Sequence, residues 1–159
     1  MKIIIDADAV PRKVLAICKK AAVAFSIKLL TVASFNHLIE SEHHLMVSDE
    51  SQATDIRVAN LTEARDLVVT QDWGLAALVL SKGAIVLTPK GRVFKNNEIA
   101  FLLEERDTMS RIRRSGKRTR EPKKRKNIDD KRFEKNLYKW LRKLVGQKQA
   151  DQLPPSGPR

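Results

Sequence analysis

The 159-residue chain has a single cysteine, Cys18, which excludes an intramolecular disulfide and leaves nothing that points to an oxidising compartment. No apolar run approaches transmembrane length, and Ile3-Ile4-Ile5, set between Lys2 and Asp6, is too short for the apolar region of a signal peptide. These absences predict a cytoplasmic protein. No internal repeat is present. His37, His43 and His44 lack the spacing of a zinc site and read as exposed loop residues. A chain of this length suits one domain, able to bury roughly 70% of the surface its unfolded form exposes.

Acidic residues are scarce, but unevenly so. From Arg106 to Lys148 there are 18 Lys/Arg against 5 Asp/Glu, a net of +13, while the remainder carries 13 against 14, a net of −1. The overall charge of +12 therefore belongs to one segment. A near-neutral body with a basic extension implies a polyanionic partner, of which nucleic acid is the commonest.

The chain itself opens on an apolar run of strand length, Lys2-Ile3-Ile4-Ile5, that stops at Asp6 and Asp8. Without polar alternation, this is a strand buried on both faces, as in parallel sheets covered by helices. Pro11 suits the first turn of a helix over 11–25, where Val14, Leu15, Cys18, Ala21, Ala22 and Phe25 form an apolar stripe. Cys18 on that stripe is a core residue. Further strands are predicted over 27–33, 45–47, 67–70 and 84–87, with helices near 53–61 and 75–82, the latter stopped by Gly83. Ser34-Phe35-Asn36-His37 and Gln71-Asp72-Trp73-Gly74 are the loops that follow the strands over 27–33 and 67–70. Asn96 or Asn97 can cap a helix running to about Arg114. Strands alternating with helices imply βαβ units and a mainly parallel sheet with helices on both faces.

The expected organisation is an α/β domain over 1–115, a basic linker over 116–128, an amphipathic helix over 129–146 packing on the domain, and a disordered tail over 147–159. In that last helix Phe133, Leu137, Trp140, Leu141, Leu144 and Val145 share one stripe, so Phe133 and Trp140 read as packing residues rather than base-stacking ones.

In open α/β sheets ligands sit outside the carboxyl ends of the strands, and there this sequence places Asp6, Asp8 and Asp72, with Asp55 in the first turn of a helix beside them. Crowded carboxylates repel, so such a group is stable in ionised form when a hard cation, Mg²⁺ or Mn²⁺, occupies it. Such an ion can activate a water and neutralise a phosphodiester together. The same acids read equally as turn residues and a first-turn acid favoured by the helix dipole. Ser34, Asn36 and Thr70 are candidates for orienting a water or phosphate, and Ser34 and Thr70 also suit local backbone capping. Arg113, Arg114, Lys117, Arg118, Arg120, Lys123, Lys124, Arg125 and Lys126 are the candidate nucleic-acid contacts, on a linker expected to be mobile unless a polyanion orders it.

Asp6-Ala7-Asp8-Ala9-x-Pro11, then Val32-Ala33-Ser34-Phe35-Asn36-His37, then the run from Asp66 through Thr70-Gln71-Asp72 to Ala76 resemble the YaiI/YqxD family of uncharacterised bacterial proteins. The likeness continues through Lys82-Gly83-Ala84 and Gly91-Arg92 to Asp130-x-Arg132-Phe133 and covers residues 1 to about 145. It implies a PIN-like α/β/α sandwich with a divalent-metal acidic pocket, Asp6 resembling the first acid of PIN domains and Thr70-x-Asp72 their strand-end motif. Two departures stand out: Val10 replaces a usual cysteine, which removes thiol chemistry there, and 113–126 is more basic and less glycine-rich than is usual. Nuclease activity follows only by analogy with the PIN fold.

The sequence thus leads to a metal-dependent nuclease acting more on RNA than on DNA, with Asp6, Asp8, Asp55 and Asp72 as metal-binding and catalytic residues. Two rivals stand beside it. One is a non-catalytic RNA- or ribosome-binding module; the other is a haloacid-dehalogenase-type phosphatase, whose strand-Asp-x-Asp-x-Val pattern residues 3–10 also fit. Replacing the basic residues of 117–126 by Gln is expected to weaken nucleic-acid binding more at low salt than at high. Anisotropy titrations should show the slope of log affinity against log salt falling by about 0.7 to 0.9 for each lost phosphate contact. An unchanged slope would assign polyanion binding to the body.

Overall fold

A computed structural model describes residues 1–8, 10–34, 39–48, 52–116 and 124–152, with side chains described through residue 147. Among the described residues the strands form a six-stranded sheet, in which β1 (Ile3–Asp6) is flanked in order by β2 (Leu29–Ser34) and β3 (His44–Val47) on one side and by β4 (Leu67–Val69), β5 (Ile85–Leu87) and β6 (Val93–Phe94) on the other. β2 and β4 both pair with β1 in parallel, Asp6 lying opposite Val32 and Ile5 opposite Val69. β3 and β5 extend the parallel sheet on either side.

Side chains alternate across a strand, and the three isoleucines show why the run has no polar member. Ile3 and Ile5 pack into one core, with α1 (Arg12–Phe25) and α5 (Asn127–Gln152), while Ile4 faces the other, beneath α2 (Ala53–Leu61), α3 (Trp73–Ser81) and α4 (Ile99–Arg114). Leu67 and Val69 share the first core and Val68 the second. The result is the α/β/α sandwich implied by the PIN-like resemblance. Among the described residues no helix is long and apolar enough to cross a membrane.

Several boundaries differ from the sequence reading. Pro11 is the residue before α1, with ψ at 147°, because its ring sets φ and leaves ψ free to remain extended. Trp73 and Gly74 form the first turn of α3 rather than a loop, since the Asp72 carboxylate accepts from the Leu75 N–H at 2.9 Å and starts the helix. A sixth strand, β6 (Val93–Phe94), pairs antiparallel with β5 and is too short to announce itself by alternation. Asn96 and Asn97 lie in a single 3₁₀ turn ahead of α4, whose Glu98 accepts from the Lys95 N–H at 2.8 Å. His44, expected in an exposed loop, opens β3 half-buried, its Nδ1 2.8 Å from the Thr31 hydroxyl. The last helix continues through 147–152, where disorder was expected, while 153–159 lie outside the described residues.

α5 is joined to the sandwich by its apolar stripe and by two polar ties. Phe133, Leu137, Leu141 and Leu144 are buried against α1, Trp140 packs half-buried beside them, and the Tyr138 ring meets Phe25 edge-on at 5.6 Å. At its start Arg125 donates through Nε to Asp130 at 2.7 Å and through Nη1 to the Pro89 carbonyl at 2.6 Å. The Asn136 amide donates to the Gly91 carbonyl at 2.7 Å.

Gly91 is the tightest point of this junction. Its φ of +84° disfavours any side chain, and a Cβ there would stand 2.7 Å from the backbone nitrogen of Phe133. Gly91→Ala is therefore expected to cost more than about 1 kcal/mol in urea unfolding. Gly146→Ala is the counterpart. Gly146 lies inside α5 with nothing within 4 Å of a new Cβ, so alanine there should stabilise the protein by about 0.5–1 kcal/mol. Equal responses at the two sites would remove the packing argument for Gly91.

Candidate functional site

Because β1, β2 and β4 run parallel, their carboxyl ends reach the same edge of the sheet. There Asp6 ends β1 almost wholly buried, at 4% exposure. Its Oδ2 accepts from the Thr70 hydroxyl at 2.9 Å, and the same hydroxyl accepts from the Asp72 N–H at 3.0 Å. Thr70 therefore both positions Asp6 and shapes the turn that leads into α3. One carboxylate oxygen of Asp72 is committed to capping that helix.

Asp8 is exposed and held from two sides. The Ser34 N–H and hydroxyl donate to its carboxylate at 3.0 and 3.1 Å, and the Thr54 hydroxyl donates at 2.7 Å. Asp55, half-buried in the first turn of α2, completes the group. Thr54, which precedes Asp55 in the first turn of α2, is a partner of Asp8 that no local pattern in the sequence singles out.

The four acids feel one another. Burial pushes the Asp6 carboxyl up to about 6; the Thr70 hydrogen bond opposes the rise, and the charges of Asp55, Asp8 and Asp72 add to it. Asp55 is raised by burial, then by Asp72, against the pull of the Arg106 guanidinium. Arg106 was also missed. It reaches from α4 across Gly74, and a Cβ there would push its guanidinium aside, so the bare glycine leaves it room to lie over the start of α3. Nothing local in the sequence indicates that α4 crosses the start of α3.

The donor set of carboxylates and hydroxyls matches a hard divalent cation in kind. The carboxylates stand at electrostatic rather than ligating distance here: among the described residues no three acids, histidines or cysteines are grouped closely enough to hold an ion directly. Cys18 is buried in the first core, where desolvation pushes its thiol up.

Residues 4–143 match the profile of a family described as uncharacterised YaiI/YqxD proteins. The chain belongs to the YaiI/YqxD family. Similar curated relatives, each named a UPF0178 protein, include one from Heliobacterium modesticaldum, 47% identical over 92% of this chain and 100% of its own length. Others come from Clostridium tetani, 42% identical over 86% and 94% of the respective chains, and Alkaliphilus metalliredigens, 40% identical over 90% and 93%. No solved structure matches.

Of the other residues expected to act, Arg113 and Arg114 are exposed at the end of α4, and Lys124 and Lys126 are exposed ahead of α5. Arg125 is engaged by Asp130 and Pro89 within the fold. Asn36, Lys117, Arg118, Arg120 and Lys123 lie outside the described residues.

The displaced titration of Asp6 has a measurable consequence. Below the ordinary value of 3.8 the group is protonated in both folded and unfolded chains, so it contributes nothing to the difference between them. Between 3.8 and about 6 the unfolded chain loses a proton that the folded one retains, so stability falls as pH rises, and above 6 the deficit is constant. Asp6→Asn removes that deficit, and its amide oxygen can still accept from Thr70. In chelator, urea unfolding should show little gain for the variant at pH 4, growing to about 2–3 kcal/mol at pH 7. A gain that is flat with pH would show that Asp6 titrates normally.

Proposed function

We propose that this YaiI/YqxD protein is a divalent-metal-dependent nuclease acting on RNA. The observation that carries the reading is the buried carboxylate of Asp6, held by Thr70 at the carboxyl edge of a parallel sheet in the company of Asp8, Asp55 and Asp72. Burying one acid among three others destabilises the metal-free fold, and a hard cation with a phosphodiester relieves that cost. The basic C-terminal third supplies charge for a polyanionic strand.

Asp6, Asp8, Asp55 and Asp72 are the residues that would hold Mg²⁺ or Mn²⁺ through waters the ion retains, since they stand too far apart to ligate it together directly. When bound, such an ion neutralises charge on the scissile phosphate and lowers the pKa of water. Thr70 keeps Asp6 in one orientation, and Ser34 and Thr54 do the same for Asp8, so neither has to reorganise when substrate arrives. Nearly enclosed and oriented by Thr70, Asp6 is the carboxylate placed to accept the proton of a water attacking phosphorus in line with the departing oxygen. Arg106, beside Asp55, offers a guanidinium to a phosphate oxygen.

The test is cleavage of labelled single-stranded RNA by metal-stripped protein with and without Mn²⁺, beside hydrolysis of a phosphomonoester. Wild type should cut RNA only with the ion, and Asp6→Asn and Asp72→Asn should each lose activity at least 100-fold while remaining folded, because asparagine can still accept the Thr70 and Leu75 bonds. Mn²⁺ should also raise the melting temperature of wild type by mass action. Undiminished cleavage by Asp72→Asn would defeat the mechanism, and a phosphoryl group trapped on Asp6 would make the protein a phosphatase. Tight RNA binding with no turnover and no thermal shift would leave a binding module.

A further inference from the structure

A second feature opens beside the acidic edge, on side chains that the charge-rich linker does not include. Gln71, the residue between Thr70 and Asp72, starts a groove of about 750 Å³ that runs past Trp73 and Phe94 to Lys90, Arg92 and Arg132. Three elements build it: the first turn of α3, the β5–β6 hairpin and the first turns of α5. The Trp73 and Phe94 rings are tilted together, 5.4 Å between centroids, and the Arg92 guanidinium lies over both, 4.9 Å from Phe94 and 5.6 Å from Trp73. No carboxylate among the described residues lines the groove. Glu98, which pairs with Arg92 at 3.3 Å, and Asp129, 4.0 Å from Arg132, are outside that lining.

We infer that this groove binds a single-stranded segment of nucleic acid, its phosphates on Lys90, Arg92 and Arg132 and a base against the half-buried Trp73 ring, and leads the strand to the acidic edge at Gln71. The inference rests on the nuclease reading for its direction and on the groove alone for its chemistry. A cationic wall beside an aromatic platform recognises the backbone and flat face of an unpaired nucleotide, whereas the bases of a duplex are stacked and inaccessible. A protein partner would be drawn by the apolar floor, but a lining that holds three cations and no carboxylate favours a phosphate chain. α5 supplies Arg132 while its next residue, Phe133, is wholly buried, so the docking of α5 that Gly91 permits also completes the groove.

The experiment uses full-length protein in EDTA, so that binding is read without turnover, and a fluorescein-labelled 12-nucleotide oligouridine followed by anisotropy. Lys90→Gln with Arg132→Gln should weaken binding about tenfold at moderate salt and lower the slope of log affinity against log salt by about 1.4, two single-strand phosphate contacts. Trp73→Leu should also weaken binding about tenfold, and RNA should quench Trp73 emission in a Trp140→Phe background. Arg92→Lys keeps charge without the planar stack, so it should lose less affinity than Arg92→Gln. Unfolding melts verify that each variant folds. Wild-type affinity and slope in the double variant, or equal binding of a hairpin duplex and the single strand, would overturn the inference. Failure of the nuclease reading looks different: the groove variants would still lose binding, but Mn²⁺ would never bring cleavage. If wild type cleaves while these variants bind unchanged, the nuclease stands and the groove does not.

Discussion

The arrangement depends on one constraint: β1 pairs in parallel with a neighbour on each side and is buried on both faces. Parallel pairing forces each connection to leave the sheet, cross a face as a helix and return, so every strand delivers its carboxyl end to the same edge. Asp6, Ser34 and Thr70 meet for that reason, though they are far apart in the chain. Burial on both faces also explains why Ile3, Ile4 and Ile5 allow no polar substitute, and why the first carboxylate after them is nearly enclosed.

That enclosure sets the electrostatics of the edge. Asp6 is raised because it is dry before it is raised because it has acidic neighbours. Its hydrogen bond from Thr70 offsets only part of the desolvation, and Arg106 acts on Asp55 rather than on Asp6. The fold therefore gathers negative charge at its edge at a cost that Thr70 and Arg106 offset only in part, and uptake of a proton there relieves more of it. Ser34 and Thr54, by donating to Asp8, keep that second carboxylate oriented instead of letting it swing into solvent.

Positive charge is distributed less simply than a count of Lys and Arg suggests. The basic segment divides into residues that serve the fold and residues that remain at the surface. Arg125 is spent on Asp130 and the Pro89 carbonyl, fastening α5 to the β5–β6 hairpin, while Lys124 and Lys126 on either side of it are exposed. Meanwhile Lys90 and Arg92, in the near-neutral body, join Arg132 to form a cationic wall that no linear run of charge announces.

Much of this was determined by the sequence alone. Unbroken β-branched runs ending in acids marked β1 and β4, helical spacing marked α1 and the stripe of α5, and Asp6, Asp8, Asp55 and Asp72 could be chosen as one group because strand ends in a βαβ chain share an edge. These signals are local periodicities, which the backbone geometry imposes whatever the rest of the chain does. Tertiary structure decided what depends on close approach between distant segments. Thr54 meets Asp8 because α2 docks over the edge, Arg106 reaches toward Asp55 because α4 crosses the start of α3, and Arg132 joins Trp73 and Arg92 because α5 is packed against Gly91. No periodicity encodes such meetings, since they depend on how helices cross and not on the order of residues along any one of them.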